Sequence, residues 1–243
     1  MKPWLPEIPV CAANMHTTVK DIGVMAYTMA HQMQLQSVER QRNGDDDTEE
    51  QILITEHPPV YTLGKNGKLT SLMKSRAEIA GKGIDIVHTE RGGDITYHGP
   101  GQLVVYPILN LRRRKLSVTG FIDILEQIMI NTAADFGVDA TRDERNRGIW
   151  VGDNKIGSVG IRVRHGISFH GLALNVNLAL EPFSWIRPCG LVGVGITSLE
   201  KERGTVSLEE VRESMRRHIT ILLCNQEEKR DEAIAARAAD QIG

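Results

Sequence analysis

One of the chain's three cysteines sits on backbone that suits neither a helix nor a strand. In SWIRPCGLVGVG, Cys189 lies between Pro188 and Gly190, with further glycines at 193 and 195. Pro188 fixes its own φ and pushes Arg187 toward extended geometry. Gly190 leaves space on the other side. Such a loop presents a thiol and nearby backbone N–H groups to a carbonyl, which is the layout of covalent acyl transfer. Cys11, near the start, and Cys224, on an apolar stripe, read as small buried hydrophobes. Three scattered cysteines argue against a disulfide framework and lead us to expect a cytoplasmic protein. No Cys/His pair has zinc-finger spacing, and neither GxSxG nor HExxH occurs. No metal and no rival nucleophile motif is therefore expected.

The densest anomaly is RGGDITYHGPGQ, Arg91 to Gln102, in which four of twelve residues are glycine. A turn between strands needs one or two. The surplus points to a binding loop whose backbone approaches a ligand closely. The segment is neither GxGxxG nor a P-loop. Two other stretches carry polar groups. Lys155 opens a strand after the turn Gly152-Asp153-Asn154, and taken alone it reads as a solvated edge residue. His170, in HGLALN, taken alone reads as a hydrogen-bonded structural histidine.

These groups must be held by ordinary globular elements. The 243 residues are 41% hydrophobic and 25% charged, enough to bury a core unaided. Lys+Arg at 29 nearly cancels Asp+Glu at 31, so no global field favours nucleic acid or a membrane surface. No apolar run is long enough to span a bilayer. Asp21 to about Gln41 reads as a helix, with Met25, Met29 and Met33 on its core face. DDDTEE (Asp45–Glu50) reads as a solvated loop. QILIT then starts a strand that Pro58-Pro59 interrupts and VYTLG resumes. IDIVH and LVVYPIL are further strands. A helix follows over GFIDILEQIMINTAADFG, ending at Gly137. GIWV, KIGSVGIRV and ISFHGLALNV read as three strands joined by hairpin turns. Ser207 and Glu210 have capping-box spacing ahead of the stripe Leu208, Val211, Met215, Ile219 and Leu222. No repeat, linker or domain seam is visible. The expectation is a single α/β (α+β) domain over 1–243, with its core at about 20–224 and a peripheral tail at 225–243. Its sheet should be mixed, largely antiparallel and covered by helices.

Taken in order, RGGDITYHGPGQLVVYPIL, GIWVGDNKIGSVGIRV, FHGLALNVN and IRPCG closely resemble the octanoyltransferases of lipoate biosynthesis, as does the preceding EHPPVYTLG. The likeness runs from about Glu56 to Ser198. It implies the fold of the biotin and lipoate protein ligase catalytic domain. It also implies transfer of an octanoyl group from acyl carrier protein to the ε-amine of a lysine in a lipoyl domain. The acceptors would be 2-oxo acid dehydrogenase complexes and the glycine cleavage H protein. By this resemblance Cys189 is the acylated nucleophile and Lys155 its acid–base partner. Substrate contacts fall to Arg91, Gly92, Gly93, Asp94, Ile95, Thr96, Tyr97 and His98, to Ser158, Val159 and Gly160, and to Gly171, Leu172 and Ala173. No cofactor is implied.

The electrostatics are adequate for such a pair. A cysteine of pKa about 8.5 is only about 3% thiolate at neutral pH. A lysine ammonium about 4 Å away, at an effective dielectric near 20, favours the thiolate by roughly 4 kcal/mol before costs. A shift of two pKa units needs only about 2.7 kcal/mol. The basic run Arg112-Arg113-Arg114-Lys115 reads either as a docking patch for an acidic carrier protein or as a solvated loop. The competing functional readings are an ATP-dependent ligase of the same fold, a non-catalytic acyl- or lipoyl-domain binder, and a cysteine hydrolase.

Overall fold

The apolar run LVVYPIL lies at the centre of the molecule. In the computed structural model it falls in β6 (Gln102–Ile108), a strand buried along its whole length. The structure describes residues 17–44, 49–187 and 194–224. Cys11, Cys189, most of the acidic run and the tail after Cys224 lie outside the described residues.

A strand that is apolar on both faces needs cover on both. Around β6 the large sheet runs β1 (Thr17–Val24), β2 (Glu50–Glu56), β6, β10 (Ile167–Asn175), β9 (Asn154–Arg164), β8 (Gly148–Val151), β7 (Thr141–Arg142). β1 is parallel to β2, and every other pair on this path is antiparallel. β10 pairs with β9 only as far as Gly157. Beyond that point β11 (Gly195–Ile196) takes the vacated side of β9, in parallel, at Asn154 and Lys155. A second sheet of three strands has β3 (Val60–Leu63) between β4 (Asp85–His88), parallel to it, and β5 (Ile95–His98), antiparallel. The expected mixed, largely antiparallel sheet with helical cover is therefore present.

Side chains alternate along β6 as strand geometry requires. Leu103 and Val105 face α3 (Val118–Asp135) and α5 (Leu208–Ile219), where Phe121, Leu125, Met129, Val211 and Met215 complete one core. Val104, Tyr106 and Ile108 face α1 (Tyr27–Asn43) through Tyr27, Ala30 and Val38. The remaining helices, α2 (Arg76–Gly81) and α4 (Leu199–Arg203), are short and capped by Ser75 and Ser198. The Ser207 hydroxyl accepts the Glu210 N–H at the start of α5, as the spacing implies. No helix among the described residues is long and apolar enough to cross a membrane.

Three readings need correction. Residues 21–24 complete β1, and α1 starts only at Tyr27, because the pairing edge of β2 is a partner no local pattern reveals. The methionine stripe is the core face only in part: Met25 and Met33 are half-buried against the core, but Met29 is 58% exposed, and the buried face of the helix holds Gln34, Ser37 and Gln41 beside Ala30 and Val38. VYTLG does not resume β2. The chain leaves the large sheet at Pro58-Pro59 and enters the small one.

The basic run also divides. The Arg114 guanidinium donates to Glu50 Oε2 at 2.5 and 2.8 Å, to the Leu223 carbonyl and to the Thr17 hydroxyl. It ties a loop, β1, β2 and the C-terminal turn together, with the Arg114 and Glu50 side chains 7% and 1% exposed. Arg114 is thus a buried strut, while Arg112 and Lys115 stay at the surface. Replacing Arg114 by Ala strands the Glu50 carboxylate. Chemical denaturation should show a loss of about 3–5 kcal/mol; a loss within experimental error would show that the strut is dispensable.

Candidate active site

RGGDITYHGPGQ is not one loop. Residues 91–94 form a loop, 95–98 are β5, and a tight turn at 99–101 leads into β6. The loop is fastened from two sides. Arg91 donates from Nε and Nη2 to the Thr62 hydroxyl (3.1 and 2.9 Å), from Nη2 to the Thr62 carbonyl (2.5 Å) and from Nη1 to the Gly92 carbonyl (2.9 Å). The Gly92 N–H donates to the Ile161 carbonyl of β9, and Gly64 N–H donates to the Asp94 carbonyl. A Cβ on Gly64 would lie 2.6 Å from the Gly93 carbonyl oxygen and 2.8 Å from Arg91 Nη1. That approach requires glycine at the end of EHPPVYTLG.

Between the two sheets lies a cavity of about 840 Å³, counting its solvent-open mouth. Residues 91–96 and His98 form one wall. Lys155 with Ser158, Val159 and Gly160 of β9, and His170 with Gly171, Leu172 and Ala173 of β10, form another. The lining is mostly apolar or glycine, and Lys155 contributes to it. Tyr97 is the exception among the sequence-derived positions. Its ring packs into the core of the small sheet against Tyr61 and Phe183.

HGLA works by a gap in the sheet. Pro107 of β6 has no N–H to give the ladder, and its carbonyl accepts from the Ser168 hydroxyl at 2.7 Å instead of from a strand N–H. Nearby, the His170 backbone adopts φ 56 and its N–H donates to Gln34 Oε1 of α1 at 2.7 Å. Gly171 then passes so close that a Cβ would sit 1.9 Å from the Val105 carbonyl oxygen.

Lys155 is flanked by Trp150 on β8 and Ile196 on β11. Its ammonium donates to the Arg147 carbonyl at 2.7 Å and lies 5.4 Å from the centre of the Trp150 ring. Thus the lysine, the loop and HGLA, far apart in sequence, border one cavity. Cys189 lies outside the described residues, but Val194 and Ile196, just beyond its segment, also line the cavity.

A protein-family model described as the lipoyl protein ligase A/B catalytic domain matches residues 27–220. The chain belongs to that family. A curated relative, the octanoyltransferase of Desulfotalea psychrophila, is 56% identical over 187 residues, covering 76% of this chain and 83% of its own. The octanoyltransferase of Alkaliphilus metalliredigens is 41% identical over 191 residues, 78% of this chain and 87% of its own. Among solved structures, one from an archaeal lipoylation system of Thermoplasma acidophilum, a bi-partite lipoate protein ligase with its E2 lipoyl domain, matches with TM-score 0.68 at 18% identity. That match covers 86% of this chain and 84% of that one. A lipoate-protein ligase A bound with ATP matches with TM-score 0.65 at 16% identity, covering 87% and 86%. At these identities the solved structures share the fold. The curated relatives place this lipoyl ligase A/B family member among the acyltransferases.

The family member also buries a polar network that sequence reading missed. His57 donates from Nδ1 to the Met25 carbonyl and accepts the Tyr106 hydroxyl at Nε2 (2.6 and 2.7 Å). His98 contacts Gln102 at 2.7 Å and Thr62 at 3.4 Å. Gln102 donates to the Tyr97 carbonyl and to Asn175, which donates to the Thr197 carbonyl. Tyr27, Asn146 and Phe183 join the lining from outside the sequence motifs, and Val104 and Tyr106 from within LVVYPIL, which read only as a strand.

Burial pushes the His98 pKa from 6.5 down to about 3, helped by His57 and opposed by the Gln102 hydrogen bond. Burial likewise lowers His57, opposed by its bond to Met25. Both rings fold neutral, so the unfolded chain takes up protons first as pH falls. The His98 contribution is whole above about pH 6.5 and is lost toward pH 3 at up to ~1.4 kcal/mol per pH unit, and His57 adds a loss of the same sign as pH falls. Urea midpoints should drop between pH about 7.5 and about 5, and less steeply in His98→Gln. An unchanged slope in that variant would show that His98 does not carry the effect.

Proposed function

We propose that the protein moves an octanoyl group from the thioester of acyl carrier protein to a lysine ε-amine on lipoyl domains, through a thioester on Cys189. The observation that carries this reading is the cavity itself, bordered by residues 91–96, Lys155, 158–160 and 171–173 in a chain 56% identical to an octanoyltransferase. The apolar part of the lining, including Val104, Val159, Leu172 and Phe183, suits an alkyl chain. Burying such a chain is worth up to about 0.8 kcal/mol per methylene.

The steps follow from the groups available. The Cys189 thiolate attacks the carrier thioester carbonyl. A new C–S bond forms, the carrier C–S bond breaks, and the departing thiolate takes a proton from the Lys155 ammonium. The incoming lysine amine then attacks the acyl-cysteine. A C–N bond forms, Cys189 leaves as thiolate, and Lys155 recovers the proton. Lys155 is suited to this exchange because it borders the cavity, where its ammonium meets the Arg147 carbonyl and the Trp150 ring. Chain continuity supports the choice of nucleophile: Arg187 N–H donates to the Ser71 carbonyl, and the Ser71 hydroxyl to Asp94 of the wall. On the other side, Thr197 N–H donates to the Lys155 carbonyl. The acceptors would be the lipoyl domains of 2-oxo acid dehydrogenase complexes and the glycine cleavage H protein. The reaction belongs to the cytoplasm and needs no cofactor.

Intact-mass spectrometry after mixing with octanoyl-acyl carrier protein should show one octanoyl adduct. It should be absent in Cys189→Ala and discharged by apo-lipoyl domain. Modification of the domain by ATP and free octanoate in Cys189→Ala would replace this reading with the ligase one. Lys155→Ala should keep its fold and lose at least about a hundredfold in transfer rate; wild-type turnover would remove the lysine from the mechanism.

A further inference from the structure

Behind the cavity wall, three residues from separate parts of the chain converge. They are His31 on α1, Glu90 just before the fastened loop, and His170 on β10. Glu90 Oε2 lies 3.3 Å from His31 Nε2 and 3.9 Å from His170 Nε2. One donor atom from each residue lies within 4.8 Å of the others. His31 Nε2 is buried, yet it makes no hydrogen bond of acceptable geometry among the described residues.

We propose that His31, Glu90 and His170 bind a divalent first-row transition ion, with zinc the best fit. Two imidazoles and one carboxylate are a donor set for zinc and its neighbours, not for calcium or magnesium, which prefer oxygen. Ligand distances of about 2.0–2.1 Å in a tetrahedron put donor atoms roughly 3.3–3.4 Å apart. The His31–Glu90 separation already meets this; the His170–Glu90 pair stands about half an ångström wider, and the two imidazoles, stacked with centroids 5.0 Å apart and donor atoms within 4.8 Å, must rotate toward each other to share one ion.

The surroundings fit the assignment. A metal-bound imidazole uses one nitrogen for the ion and fixes its ring through the other. His170 Nδ1 faces the Tyr27 hydroxyl at 3.5 Å. The other Glu90 oxygen, Oε1, is engaged at 3.5 Å by Arg164, which leaves Oε2 turned toward the two rings. The Thr89 hydroxyl lies 3.4 Å from His170 Nε2 and 3.5 Å from Glu90 Oε2, a further polar group at the cluster. The Arg91 charge is clamped onto Thr62. An ion held here would join α1, β10 and the residue preceding Arg91, and so restrain the loop that forms the cavity wall.

The test uses the full chain carrying Cys189→Ser, to remove that thiol from the metal chemistry. Zn²⁺ competed against a chromophoric chelator should bind one to one and raise the melting temperature. Co²⁺ should give the intense visible bands of a four-coordinate site without thiolate charge transfer. His31→Ala and Glu90→Gln, each checked for fold by circular dichroism, should weaken Zn²⁺ at least about tenfold. His31→Gln serves if the alanine variant does not fold. Absence of Zn²⁺ binding, unchanged affinity in the variants, or a cobalt–thiolate band would each overturn the proposal.

Discussion

The site depends on one buried guanidinium. Arg91 is 8% exposed, and its planar fork spans β3 and the loop after β4 with four hydrogen bonds to oxygen. The charge strengthens each of these bonds, and burial would make it costly to leave any unmade. A lysine at this place would offer a point charge instead of a fork. Because the same loop also rests on the Ile161 carbonyl of β9, the guanidinium determines how the small sheet meets the large one. The cavity is the space between them.

On the opposite wall, a deliberate defect in the sheet does the corresponding work. Proline in β6 removes a ladder donor, and side chains from β10 and α1 take up the unpaired groups. This explains why the inward face of α1 is so polar. Gln34 and Gln41 bond backbone groups of the strands, His170 N–H and the Ile108 carbonyl, rather than filling apolar space. At the break Gly171 passes closer to the Val105 carbonyl than any residue with a Cβ could, and Leu172 and Ala173 then rejoin the ladder with β6.

Legibility in the sequence followed the range of the interactions. α3, α5 and the β8–β9–β10 meander were readable because caps, turns and periodicity are local. The loop, lysine and HGLA segments were noticed for residue types out of place, and the family resemblance then tied them together. Long-range effects were not readable. Residues 21–24 became strand because β2 offered an edge, and Arg114 became a strut because Glu50 waits inside the fold. Tyr97 lies outside the cavity because its ring is taken up by Tyr61 and Phe183, partners from distant parts of the chain. His31, Glu90 and His170 share no motif, since their meeting is made by three different elements.

The chain of polar side chains behind the cavity has a direction. The Thr197 and Tyr97 carbonyls can only accept, so the amides of Asn175 and Gln102 must point their nitrogens toward them. Asn175 then receives Gln102, and the remaining Gln102 oxygen can only take a proton from His98 Nδ1. A neutral His98 is thereby the Nδ1–H tautomer, with a lone pair on Nε2 turned to Thr62. The Thr62 oxygen already accepts twice from Arg91, which leaves its own hydrogen for that lone pair. Tautomer, amide orientation and hydroxyl rotor are one coupled choice, dictated from both ends by groups that cannot reverse their polarity.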